Sequence, residues 1–245
     1  MRPEVGSSAL FPALEVPHYL NTASIAPLCT PVQEAMQQAV SIRARLAMGA
    51  IPHFSEQVSA CRSGFARLVG GQADDVAVLT STSAGIVGVA TCLDWKAGDR
   101  VVLFQSDFPA NTTPWLQAAA QHQLEVVWQD GDAFRTDLDA AMRSLERQLE
   151  RGVRLVAISA VSFWSGIRRP VQAIAERCRH HGCELFVDGI QAAGIVPLSM
   201  DWGIDYLAVG GHKWLGGPFG TGLLAVAPNR WSALRGRLAS WMSHP

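Results

Sequence analysis

Apolar positions along the 245-residue chain fall into short runs that alternate with helical patterns. DVAVLT (75–80), DRVVLFQ (99–105), LEVVWQD (124–130) and RLVAISAV (154–161) are rich in apolar residues. So are CELFVDG (183–189), DYLAVGG (205–211) and TGLLAVAP (221–228). Strands covered on both faces have this pattern. Between them, AGIVGVATCLDW (84–95), PWLQAAAQHQ (114–123), DLDAAMRSLERQLERG (137–152) and VQAIAERCRHHG (171–182) carry helical patterns. Asp137 is a plausible cap and Gly152 a stop for the third of these. The alternation predicts an α/β fold with three layers: a mostly parallel sheet with helices on both faces. Residues 1–70 read as a helical segment and connection, with PVQEAMQQAVSIRARLAMG (31–49) periodic and without a strand partner nearby.

Composition adds little to the fold but narrows the partners. Hydrophobic residues make up 49% and charged residues 17%, so a sizeable core is expected. Twenty basic residues balance twenty-one acidic ones, which points away from nucleic acid and anionic membranes. No apolar run reaches the roughly 18 residues of a membrane span. The first residues lack a basic region followed by an apolar core, so no signal peptide is expected and a cytoplasmic location is. Cys29, Cys61, Cys92, Cys178 and Cys183 are scattered. The pair 178/183 lacks two further ligands, so no metal site is expected and buried free thiols are.

In a parallel sheet covered by helices, ligands bind past the carboxyl ends of the strands. Three groups stand there. Lys213 lies in GGHKWLGGPFGTG (210–222), either as a surface lysine or as a partly desolvated amine made nucleophilic by a lowered pKa. Asp188 ends an apolar strand, as a loop acid or as the carboxylate that keeps a cofactor's pyridine nitrogen protonated. TSTSAG (80–85) joins a strand to a helix and holds four hydroxyl residues, as an ordinary cap or as an anion cradle. No phosphate-binding Gly-x-x-x-x-Gly-Lys-Ser/Thr loop and no dinucleotide fingerprint occurs.

Taken in order, YLNTASIAP (19–27), TSTSAGI (80–86), DFPANTTPW (107–115), FVDGIQAAG (186–194) and GGHKWLGGPFGTG (210–222) resemble the class V aminotransferase family. That family of fold-type I pyridoxal-phosphate enzymes includes cysteine desulfurases, isopenicillin-N-epimerase-like proteins and kynureninases. The resemblance implies pyridoxal 5′-phosphate as cofactor and an amino acid as substrate. It implies that Lys213 is the catalytic Schiff-base lysine, which also moves the proton at the substrate's α-carbon. By the same resemblance Asp188 pairs with the ring nitrogen and Gln191, one helical turn on, approaches the ring's phenolic oxygen. His212 helps to anchor the phosphate, Phe108 stacks on the ring, and Thr82, Ser83 and Ala84 form the phosphate cradle.

The chain departs from the family pattern at several places. Ala84 stands where a threonine is common, Thr82 where a glycine is, Phe163 where desulfurases often carry asparagine, and Gly210 where a serine is usual. With Phe108 in a position that is histidine in desulfurases, these differences lean toward the epimerase-like or kynureninase-like branches. The resemblance further implies a homodimer, with the surroundings of Thr221 lining the neighbouring site. It divides the chain into an N-terminal segment (1–70), a cofactor-binding large domain (71–230) and the start of a link (231–245). The small domain that supplies the substrate-binding arginine is expected to be missing. An inert cofactor-binding domain is therefore the alternative to an active enzyme.

Overall fold

A computed structural model describes residues 7–234, 236 and 238. The expected link at 231–245 lies largely outside the described residues. Two helices open the fold, α1 (Thr30–Leu46) and α2 (Ile51–Val69). Strand β1 (Val76–Leu79) then leads into helix α3 (Thr82–Cys92), and β2 (Arg100–Phe104) into α4 (Thr113–His122). After β3 (Glu125–Gln129) come the short α5 (Ala133–Thr136) and α6 (Leu138–Leu149). The remainder is β4 (Leu155–Ser159), α7 (Val171–His180), β5 (Glu184–Asp188), β6 (Tyr206–Gly210) and β7 (Gly222–Val226). Asp137 caps α6 as expected, its Oδ1 accepting from the Ala140 N–H at 2.8 Å.

The seven strands form one sheet in the order β1-β7-β6-β5-β4-β2-β3. All neighbours are parallel except β7, which runs antiparallel to both β1 and β6. β6 and β7 form an antiparallel pair joined by the 211–221 loop, with Gly210 opposite Gly222. The carboxyl ends of β1, β2, β4, β5 and β6 therefore share one edge of the sheet.

Strand geometry sends successive side chains to opposite faces, and the core divides accordingly. Val102, Phe104, Val156, Ile158, Leu185, Val187, Leu207 and Val209 pack on the face covered by α2, α5, α6 and α7. Val101, Leu103, Leu155, Ala157, Phe186, Tyr206 and Ala208 pack on the other, against α3 and α4. Trp115 of α4 is fully buried there and meets the Phe186 ring edge-on at 5.1 Å. Each large apolar side chain buried in this way contributes roughly 1.5–3 kcal/mol before ordering entropy is charged against it. The expected three layers are thus present.

At the amino ends of the strands, far from the ligand-binding edge, a polar cluster closes the sheet. Glu184 is buried and pairs with Arg154 and Arg230, while accepting the Tyr206 hydroxyl at 2.9 Å. Asp205 takes the Leu185 N–H at 2.7 Å and the Arg230 Nε at 2.5 Å. All five cysteines are free, but only Cys178 and Cys183 are buried. Cys61 is exposed, on a turn of α2 outside the stripe that Phe65, Ala66 and Val69 bury.

Candidate active site

The loop after β6 is tied by internal hydrogen bonds despite its glycines. The Gly211 N–H donates to the Thr221 carbonyl at 2.9 Å, Gly217 to the Gly211 carbonyl at 2.7 Å, and Gly216 to the Lys213 carbonyl at 2.9 Å. Thr221 Oγ1 donates to the Pro218 carbonyl at 2.6 Å. Glycine is required where backbones meet: a Cβ on Gly222 would lie 2.5 Å from the Ser81 carbonyl carbon. That contact lets the start of α3 press against β7 and brings TSTSAG beside the lysine loop.

A cleft of about 440 Å³ opens at the shared strand edge. Lys213, His212, Asp188, Gln191, Thr82, Ser83 and Phe108 all line it. Asp188 is buried at the end of β5, and its Oδ1 accepts the Ile190 N–H at 3.0 Å. Burial pushes its carboxyl up to about 6; that hydrogen bond opposes the shift, Asp107 adds to it and the Lys213 charge opposes it. Burial holds the Lys213 amine below its ordinary value, and Asp188 partly offsets this. His212 is lowered by burial first and by Lys213 second, and its ring stacks on Phe219 at 4.8 Å.

Of the residues expected to form an anion cradle, Thr82 and Ser83 line the cleft and Ala84 does not. α3 begins at Thr82, two residues before the helical pattern predicted, because Ser81 caps it: the Ala84 N–H donates to Ser81 Oγ at 3.0 Å. The Ala84 amide is thus engaged by the cap, and Ala84 does not line the cleft. Thr82 does, and its Oγ1 is buried with no hydrogen-bond partner. A Cβ on Gly210 would stand 2.9 Å from that oxygen, so the missing side chain at 210 leaves room for the Thr82 hydroxyl.

Gln191 lies in a turn, not a helix: both Ala192 and Ala193 donate to the Gly189 carbonyl. Its amide is oriented from two sides, Nε2 donating to the Ala23 carbonyl at 2.9 Å and Oε1 accepting from Trp214 Nε1 at 2.8 Å. Phe108 is 47% exposed, wide enough open to cover a flat ligand, and packs edge-on against Phe163 at 5.2 Å. Lys213 Nζ lies 5.9 Å from the Phe108 ring centre.

Sequence reasoning assigned no role to Asn21, Ala23 and Ser24, which also line the cleft. The Ala26 N–H donates to the His212 carbonyl at 2.8 Å, which ties this N-terminal stretch to the lysine loop. The motif YLNTASIAP was the available signal. A second cleft of about 420 Å³ beside α7 holds Arg168 and Glu176 but neither Lys213 nor Asp188. No cluster of potential metal ligands occurs among the described residues.

An amine, a buried carboxylate and a helix N-terminus with an unpartnered hydroxyl thus converge on one cleft of an α/β domain. The class-V aminotransferase family model matches residues 18–238, and the chain belongs to that family. An uncharacterized aminotransferase of Bacillus subtilis, YcbU, is 30% identical over 95% of this chain and 61% of its own length. An isopenicillin N epimerase of Streptomyces clavuligerus is 29% identical over 92% of the chain and 57% of its own. Among solved structures, a mutant of C-DES with glycine covalently linked to the PLP cofactor superposes with a TM-score of 0.85 at 24% identity. That comparison covers 96% of this chain and 63% of C-DES and establishes the shared fold. The chain spans about three fifths of the length of these relatives.

Proposed function

We propose that this chain forms the cofactor-binding part of a pyridoxal-phosphate enzyme acting on the α-carbon of an amino acid. The observation that carries the reading is the convergence of Lys213 and Asp188 on one cleft, close enough for each to shift the other's proton affinity. The residues present fit the cofactor. Lys213 supplies an amine of reduced basicity to hold the aldehyde and, once released, to take and return the α-proton. Asp188 offers a desolvated carboxylate to the ring nitrogen. Thr82, Ser83 and the positive end of α3 would hold the phosphate, with His212 lining the same cleft. Phe108 would cover the ring, and Gln191 Nε2, which gives one N–H to the Ala23 carbonyl, has a second to offer the ring oxygen. When bound, the cofactor supplies an electron sink for negative charge at the α-carbon.

We further propose a large domain over residues 71–230 with 1–70 as its N-terminal segment, assembly as a homodimer, and action in the cytoplasm. The outcome is of the aminotransferase, epimerase or desulfurase/lyase type, and Phe108 and Phe163 favour the branches other than the desulfurases. The test is a titration of the protein with pyridoxal phosphate. A visible absorption band that disappears in Lys213→Ala supports the reading, and no Lys213-dependent band refutes it. Turnover of an amino acid by the banded sample separates an enzyme from an inert cofactor-binding domain.

A further inference from the structure

One buried ion pair stands a single residue behind the cleft lining and, apart from the effect of the Asp107 charge on Asp188, has no part in the chemistry above. Asp107, directly before Phe108, accepts four donors. These are Asn111 Nδ2 at 3.1 Å, the Ser159 N–H and Oγ–H at 3.0 Å each, and an Arg169 terminal nitrogen at 2.5 Å. The Arg169 side chain is 1% exposed. Its guanidinium lies over the Phe104 and Phe134 rings at 5.3 and 5.9 Å, and the same terminal nitrogen donates to the Ser159 carbonyl at 3.2 Å. Its Nε and other terminal nitrogen have no hydrogen-bond partner.

Such an arrangement is a poor source of stability. Two desolvated charges regain little net energy, and orphaned donors cost about 1–3 kcal/mol each. What the pair does hold are the two walls of the cleft. On one side Asp107 anchors the turn that presents Phe108, which Asn111 closes by donating its N–H to the Phe108 carbonyl at 2.8 Å. On the other side Ser159 is the register partner of Asp188 across β4 and β5. The Ala160 N–H donates to the Asp188 carbonyl at 2.9 Å, and the Arg169 N–H to the Ala160 carbonyl at 2.9 Å. Arg169 therefore connects, through one side chain and one peptide, the ring that covers the cleft and the acid that lines it.

We infer that Arg169 is a positioning residue: through Asp107 and Ser159 it fixes the relative placement of Phe108 and Asp188 about the bound cofactor. This rests on the cofactor reading above. A displacement of about 1 Å in such groups is enough to loosen a preorganised site. The test uses the whole chain loaded with pyridoxal phosphate, and reads the induced circular dichroism of the visible band and its pH midpoint. Arg169→Met, folded by far-ultraviolet dichroism, is expected to keep the band but lose at least half of the induced signal and shift the midpoint. Arg169→Lys restores both in large part. A folded Arg169→Met with wild-type dichroism and midpoint overturns the inference. Should that variant not fold, Asp107→Asn/Arg169→Met removes both charges and leaves no lone buried ion. Because the Asp107 charge acts directly on Asp188, only the dichroism is read there: an altered induced signal supports the inference and a wild-type one overturns it. Failure of both to fold assigns the pair to the fold alone and also overturns it. A wild-type protein without a Lys213-dependent band instead refutes the cofactor reading itself, which keeps the two failures apart.

Discussion

Replacing Thr82 by valine separates the cofactor reading from a purely structural one, because it moves two quantities in opposite directions. Valine keeps the shape and the χ1 restriction of threonine and leaves the Ser81 cap intact. In the free protein Thr82 Oγ1 is buried without a partner. Removing such an orphan recovers about 1–3 kcal/mol of desolvation cost. For a chain of this size each kcal/mol raises the melting temperature by about 2–4 °C. On the cofactor reading the same hydroxyl would donate to the phosphate in the loaded protein, and a hydrogen bond to a charged group contributes about 1.5–3 kcal/mol. Its loss corresponds to a roughly 10- to 150-fold weaker dissociation constant. Calorimetry of the cofactor-free protein and an absorbance titration measure the two effects. Pyridoxal without its phosphate serves as the control and is expected to bind both proteins equally. Thr82→Val that is no more stable than wild type when free, or that binds the phosphorylated cofactor unchanged, refutes the assignment.

Asp188 predicts a pH dependence whose sign is unusual for a carboxylate. Its folded value, about 6, lies above the ordinary one, so the folded state holds a proton that the unfolded chain has released. Stability of the cofactor-free protein should therefore fall as pH rises from about 4 to 6, by roughly 2–3 kcal/mol. In Asp188→Asn this decline should vanish; denaturant midpoints measured across that range check it, and an unchanged slope excludes Asp188 as its source. At the opposite end of the sheet, Arg230→Met should cost about 2–4 kcal/mol by leaving Asp205 and Glu184 short of a partner. Urea unfolding reads that loss, and it should leave the Lys213-dependent band intact.

The order and type of most elements was legible in the chain because parallel strands buried on both faces are apolar throughout and the helices between them are periodic. The strand-end rule then picked out Lys213, Asp188 and TSTSAG, since ligand-binding groups follow strands at one edge of such a sheet. Less local facts were not legible. The antiparallel course of β7 depends on the 211–221 turn and on pairing with β1, which is distant in sequence. Gln191 was expected on a helix, but the Gly189 carbonyl gathers its backbone into a turn. The engagement of the Ala84 amide follows from Ser81 becoming the cap, a choice among four adjacent hydroxyl residues that only helix geometry makes.

By itself the sequence determined the layers and the strand ends, because these follow from local period and composition; the roles expected of the residues there came from a resemblance to a family. Only the tertiary structure decided how Asp107, Ser159 and Arg169 meet behind Phe108. Their interaction joins residues 52 and 62 positions apart, and its energy depends on a burial that no local window of sequence contains.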